Sequence, residues 1–224
     1  MWDNLTNLVI SYLEGGYYHP DMKPKLKGGE NLGNSGETMF GFDRKASGDL
    51  ATSGKGSQFW RIVDANYSAH HNDTAYYNDK ADGKLVAASV GQVLRTLISQ
   101  IMQIQFEKYA AWLSPAAKEL VMANPSLLFQ FFYACWNGPG RFQTFANLVN
   151  AAVANGTTAA AALYKLVDNN RRSWGEWSAQ RADIINQIVN KHLGGVPSNG
   201  AGTGGAVLLA VAAAVTLFLI LKKK

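Results

Sequence analysis

Leu5-Thr6-Asn7-Leu8-Val9-Ile10-Ser11-Tyr12-Leu13-Glu14-Gly15-Gly16 is the stretch on which the reading of this chain turns. Leu5, Leu8, Val9, Tyr12 and Leu13 fall at i, i+3, i+4, i+7 and i+8, an apolar stripe along one face of a helix. Glu14 follows at the end of that helix, and Gly15-Gly16 are expected to stop it in the left-handed geometry of a C-cap. A carboxylate with an apolar stripe beneath it and a glycine pair beyond it faces a cleft while partly desolvated. Desolvation raises a Glu pKa, which is what a general acid for glycosidic cleavage requires, since it must hold a proton near neutral pH for the leaving oxygen. Most glutamates at helix ends are simply solvated charges, so position alone does not assign the role.

Outward from this helix, residues 17 to 57 are rich in glycine and read as loops, with at most short strands around Thr38 to Phe42. Helical texture returns at about Lys84 and runs to Trp112. Ser114-Pro115 is an N-cap followed by proline at the first helical position, and Pro125 opens another helix through Trp136. Gly138-Pro139-Gly140 breaks it. Helices are then expected over Arg141 to Ala154, Thr158 to Val167 and Trp174 to Leu193. The fold class predicted for residues 1–193 is mainly α, with a short β element near residues 38–42.

The 224 residues carry 21 Lys plus Arg against 16 Asp plus Glu. Three of the positive charges are Lys222, Lys223 and Lys224, so residues 1–221 hold 18 against 16, and a broad nucleic-acid-binding face is not expected. Leu193 to Leu221 contains no charged residue. Residues 194–204 read as a flexible Gly-rich linker, because they cannot bury enough apolar area to offset their backbone entropy. Residues 205–221 are apolar apart from Thr216 and read as a transmembrane helix. Its rise of about 25 Å falls short of a hydrocarbon core of roughly 30 Å, and the basic tail 222–224 can close the gap by snorkelling. A buried C-terminal helix is the competing reading, but a core helix is rarely apolar on every face and preceded by a tether. Met1-Trp2-Asp3-Asn4 lacks the basic start and apolar run of a cleaved export signal. Cys135 is the single cysteine, which leaves no intramolecular disulfide and no Cys-based zinc site.

Leu13-Glu14-Gly15-Gly16-Tyr17 followed by Gly36-Glu37-Thr38-Met39-Phe40-Gly41-Phe42 resembles the signature of glycoside hydrolase family 108, E-G-G-Y followed by G-G-x-T-x-x-G-I. The resemblance covers about the first 45 residues. It implies a lysozyme-like fold and cleavage of the MurNAc–GlcNAc bond in peptidoglycan, with Glu14 in the place of the catalytic acid and Thr38 in that of the threonine on the strand facing it. Tyr133-Ala134-Cys135-Trp136-Asn137-Gly138-Pro139-Gly140 looks like the A-Y-N-A-G-P-G stretch of lytic transglycosylases, which lines the sugar cleft. By that likeness Asn137 donates to a saccharide carbonyl and Trp136 stacks on a ring. A helix ended by Gly-Pro-Gly with its tryptophan in the core reads equally well. Tyr17, Trp136 and Asn137 make up the expected substrate-binding set.

The chain departs from the family pattern where an aspartate usually stands, between the Glu and the Thr. Asn31-Leu32-Gly33-Asn34-Ser35 holds no carboxylate there, and Asp21 is the expected acidic substitute. Adjacent strand residues face opposite sides, so Glu37 is expected to point away if Thr38 faces the cleft, and Asp43, five residues on, to point away as well if the strand continues that far. A hydrolase wants a second carboxylate, about 5 Å from the acid if retaining and about 6.5 to 9.5 Å if inverting. A lytic transglycosylase does without it, the sugar's own 6-hydroxyl attacking to give an anhydro product, and this tilts the expectation towards transglycosylase over muramidase.

His70-His71 with Asp73 reads as a polar surface loop, since adjacent residues point apart and no third ligand sits at metal spacing. Trp174 and Trp177 are assigned to the core, and Cys135 to a buried hydrophobe. No phosphate-binding glycine loop is present, and no cofactor or metal is expected. The sequence-based expectation is a peptidoglycan-degrading domain tethered to a membrane through residues 205–221, with Lys23, Lys25 and Lys27 attracting the anionic wall. A membrane-containing phage virion, with other virion proteins as neighbours, suits that architecture. A bacterial inner membrane with a periplasmic domain is the alternative location, and a non-catalytic glycan-binding scaffold the alternative function.

Overall fold

The apolar stripe at the start of the chain forms helix α1, Trp2–Tyr12, in the computed structural model, which describes residues 1–26 and 36–197. Leu5, Leu8, Val9, Ile10 and Leu13 are buried, whereas Tyr12 is 43 % exposed. Leu13 closes the helix in a right-handed conformation. Gly15 and Gly16 are not in the left-handed region, so the C-cap expected of them is corrected. Gly16 is required for a different reason: a Cβ there would run into the backbone carbonyls of Asn78 and Asp79.

Two compact units divide at Gln105–Phe106, within one long helix. In the first, β1 (Tyr17–Tyr18), β2 (Thr38–Met39) and β3 (Phe42–Asp43) form an antiparallel sheet in that order. Tyr17 pairs with Met39 and Tyr18 with Thr38, while Thr38 also pairs with Asp43 and Met39 with Phe42. The β2–β3 loop is thus Phe40-Gly41 alone, with φ of +56° and +73°. Positive φ at both central residues is the signature of a type I′ turn, whose twist matches that of the strands. A phenylalanine in the left-handed region costs roughly 1–2 kcal/mol, and burying its ring returns roughly 1.5–3 kcal/mol. The Phe40 ring is fully buried, edge-on to Phe59, with the Arg95 guanidinium 5.4 Å from its centroid.

Helices α2 (Asp49–Thr52) and α3 (Gly54–Asn66) follow. The abundance of glycine predicts loop over α2 and the start of α3, although Phe59, Trp60 and Val63 stand at helical spacing. Packing overrides that weak local preference: Phe59 and Trp60 clamp Phe42 of the sheet at 5.5 and 5.8 Å. Gly56 is buried against Leu50, whose carbonyl a Cβ would strike. Helix α4 spans Ala88–Tyr109, so the helix expected from Lys84 starts four residues later.

The second unit is all helical among its described residues. A 3₁₀ turn at Ala110–Trp112 leads to α5 (Pro115–Ala123), α6 (Pro125–Ala134), α7 (Pro139–Ala154), α8 (Ala160–Arg172) and α9 (Glu176–His192). The starts follow the expected chemistry: Ser114 Oγ accepts from Ala117 N and Asn124 Oδ1 from Leu127 N, each with proline next in the chain. Helix α6 is buried from Ser126 to Ala134 and touches α5, α7, α8 and α9. Phe131 packs edge-on to Phe142 and Phe145 of α7. Cys135 is buried, and burial pushes its thiol pKa up, away from nucleophile chemistry. Trp174 stacks on Phe145 at 5.2 Å, as a core residue would, but Trp177 is 56 % exposed and corrects its core assignment.

No helix among the described residues is long and apolar enough to cross a membrane. The transmembrane helix expected at 205–221, the linker from residue 198 onward and Lys27 lie outside the described residues.

Arg171 is 1 % exposed, and desolvation brings its pKa down to about 10. Its Nε donates to Gln130 Oε1 at 3.1 Å and its Nη2 to the Gln130 carbonyl at 3.3 Å. Gln130→Leu keeps the bulk but removes one acceptor from a buried charge, and should cost about 1.5–3 kcal/mol, read as a lower urea midpoint.

Candidate functional site

Glu14 sits one residue beyond the cap of α1, its backbone N–H donating to Val9 O at 2.9 Å. The next residues are zipped to the segment before α4. Tyr17 N donates to Asp79 O, Asn78 N to Tyr17 O, and Gly16 N to Asn78 Oδ1. The same pairing seats the Asn78 side chain at the mouth of a cleft of about 170 Å³, lined by Glu14, Thr38, Asp43, Tyr18, Tyr77 and Asn78 among others.

Gly41 packs directly on the Glu14 side chain. A Cβ at this position would come within 3.0 Å of Glu14 Cγ and overlap its carboxylate. The glycine therefore does two things: it supplies positive φ for the hairpin turn and lets the acid lie against it. On the other side, Lys80 Nζ donates to the Ile10 carbonyl near the end of α1. Burial lowers the Lys80 pKa, Arg95 lowers it further, and the charge of Glu14 opposes them.

Behind the cleft lies a buried acid. Glu37, 8 % exposed, accepts from Tyr17 Oη at 2.7 Å, Ser68 Oγ at 2.7 Å and Arg44 Nη1 at 2.8 Å. Arg44 continues to both oxygens of Asp64 at 2.7 Å, which pulls the Asp64 carboxyl below its ordinary range. Glu37 thus points away from the cleft that Thr38 lines, as strand alternation requires.

Of the sequence-derived candidates, Glu14, Thr38 and Tyr17 come together at this cleft. Tyr17 lines the cleft with its side chain fully buried and its hydroxyl donating to Glu37, which also holds β1 in place. Asp21 is not among the residues lining the cleft. It lies in the 3₁₀ turn Pro20–Lys25, its exposed carboxylate 3.5 Å from His19 and 3.6 Å from His71. Lys25 of that turn donates to the side chain and backbone of Asn72, and Asp73 caps the turn at Thr74–Tyr76. Trp136 and Asn137 belong to the second unit. Trp136 is half-buried, edge-on to Phe132, and Asn137 Nδ2 donates to Tyr133 O at the end of α6.

Four residues of the cleft were not expected there from the sequence: Asp43, Tyr18, Tyr77 and Asn78. For Asp43 the expectation applied to a strand continuing past Thr38, and β2 ends at Met39. Counting five residues along one strand places it opposite to Thr38, but the chain reverses at Phe40-Gly41, so the two are cross-strand partners and share a face. Gly at the second position of a two-residue turn was the available signal. Tyr77, 40 % exposed, follows a short 3₁₀ turn with no motif to mark it.

A larger hollow of about 290 Å³ lies between α1 and α4, lined by Asp3, Asn7, Gln92, Arg95 and Thr96; no residue of either glycine-containing motif reaches it. Comparison of the chain with known protein families, with characterised proteins and with solved structures gave no match.

Tyr17 and Tyr67 hydroxyls are buried, and Tyr67 donates to Asp79 Oδ2 at 2.6 Å. Burial first, then the adjoining carboxylate, raises both phenol pKa values above the ordinary 10.0. Raised folded pKa values mean that the unfolded chain loses these protons first, so their contribution is complete below pH 10 and declines as pH rises beyond it. Urea midpoints should be level from about pH 8 to 9 and fall towards about pH 11, with phenolate absorbance from these residues appearing only on unfolding.

Proposed function

We propose that this chain is a peptidoglycan-degrading glycosidase that cuts the MurNAc–GlcNAc bond, with Glu14 as general acid and base. The observation that carries the reading is the packing of the Glu14 side chain against Gly41, in a cleft shared with Thr38 and Asp43. The two motifs that resemble family 108 are separated by residues 18–35, yet they meet at one carboxylate. The remainder of the cleft suits a sugar chain: Tyr77 offers an exposed ring for a pyranose face, and Asn78 and Thr38 offer polar groups at its edge.

In this reading Glu14 holds a proton, delivers it to the glycosidic oxygen as the C1–O bond breaks, and takes a proton back from the incoming nucleophile. Thr38 positions that nucleophile from the opposite wall. The apolar segment at residues 205–221 tethers the domain to a lipid membrane, which we assign to the virion of a membrane-containing phage, where the enzyme would open the wall locally. Lys23 and Lys25 add positive charge on the side of the Pro20–Lys25 turn.

Purified full-length chain in detergent, incubated with isolated peptidoglycan, should release soluble glycan fragments. Glu14→Gln should reduce that rate by about 10²-fold or more while thermal unfolding is unchanged. A wild-type chain that binds peptidoglycan without cutting it would instead establish the non-catalytic scaffold. Gly41→Ala should cost about 1–3 kcal/mol of stability through overpacking and lower the rate as well, because its methyl group displaces the Glu14 carboxylate.

A further inference from the structure

We propose that Asp43 is the second acid of the Glu14 cleft and that the cut is therefore a hydrolysis. The inference rests on the glycosidase reading and deepens it. Asp43 faces Thr38 directly across the β2–β3 ladder and lines the same cleft as Glu14. Its orientation is held by the backbone: Oδ1 accepts from Lys45 N at 2.8 Å and Ala46 N at 2.7 Å. Among the described residues no protein donor bonds Oδ2. One oxygen is thus anchored and the other is left to a molecule in the cleft.

A second observation marks the cleft as built for a polar ligand. Tyr18 lines it, is only 4 % exposed, and its hydroxyl has no hydrogen-bond partner among the described residues. It lies close enough to Tyr77, itself a lining residue, for the two phenols to interact electrostatically. A buried hydroxyl left unsatisfied is destabilising, and a sugar hydroxyl or acetamido oxygen arriving in the cleft removes that cost.

The step balances as follows. The Glu14 proton goes to the glycosidic oxygen and the C1–O bond breaks, its electron pair leaving with the alcohol. In place of Glu14, Asp43 then serves as the base towards the nucleophile: a water held by its Oδ2 adds its oxygen to C1 and passes one proton to Asp43. Solvent then returns a proton to Glu14 and removes one from Asp43, so each cut consumes one water and leaves a free reducing end. Without a carboxylate to orient water, the sugar's 6-hydroxyl would be the nucleophile and an anhydro end would result.

The test digests isolated peptidoglycan with the full-length chain in heavy-oxygen water and analyses the fragments by mass spectrometry. Wild type should give reducing ends carrying one heavy oxygen. Asp43→Asn keeps an oxygen for the two amides and should lose about 10²-fold or more in kcat, with KM and thermal unfolding little changed. Asp43→Ser, whose hydroxyl can also cap the turn, is the second variant should the first fail to fold, and the same loss is expected. Anhydro ends from the wild type would overturn the inference while leaving peptidoglycan cleavage intact, and so would full activity in a folded Asp43 variant. A wild type that releases no fragments would sink the glycosidase reading itself.

Discussion

Glu37 lies buried between β1, the β2–β3 hairpin and α3, and receives one hydrogen bond from each of Tyr17, Ser68 and Arg44. A carboxylate taken out of water is costly unless paired and hydrogen-bonded, so these donors are bound to stay where Glu37 is. The constraint reaches far along the chain. Tyr17 is three residues from Glu14, Arg44 follows Asp43, and Ser68 begins the turn beyond α3. Fixing the three donors around one acid fixes the walls of the cleft on which both carboxylates stand. Tyr67 and Asp79 repeat the arrangement one layer away, with the Tyr17 and Tyr67 rings 4.8 Å apart.

The cleft also depends on the hairpin turn. Phe40 is held at positive φ by burial of its ring, and Gly41 leaves room for Glu14. Local strain is accepted where it brings two elements close, a pattern that clusters at functional sites. The reversal at this turn converts an odd spacing along the chain, Thr38 to Asp43, into a shared face. In this way a chain with no carboxylate at Asn31 to Ser35 has one, Asp43, just after the turn.

The second unit solves a different problem. Helix α6 carries almost nothing polar and is covered by α5, α7, α8 and α9. Its one amide side chain, Gln130, is turned to Arg171, whose guanidinium lies among Tyr133, Phe145 and Trp174. The charge is stabilised by an amide and ring faces rather than by a hydrogen-bonded carboxylate, and desolvation depresses its pKa accordingly.

What the residues alone determined is the helical skeleton and the position of Glu14. Apolar stripes, Ser114-Pro115, Asn124-Pro125 and Gly138-Pro139 act over a few residues, so periodicity and capping chemistry reveal them without tertiary context. Helix α3 was legible only in part: Phe59, Trp60 and Val63 carry helical spacing, but glycines surround its start and packing on Phe42 across the chain completes its setting. The partners of Glu14 were legible only in part. Thr38 and Gly41 came with the motif, whereas Asp43, Tyr18 and Tyr77 reach the cleft through strand register and through the pairing of Tyr17 with Asn78 and Asp79. Asp21, nearer in sequence, is kept by its own turn beside His19 and His71. Spacing along a chain reports which face of one element a side chain takes, but a reversal of the chain and a pairing across some sixty residues are settled by packing and buried hydrogen bonds, which only the folded structure contains.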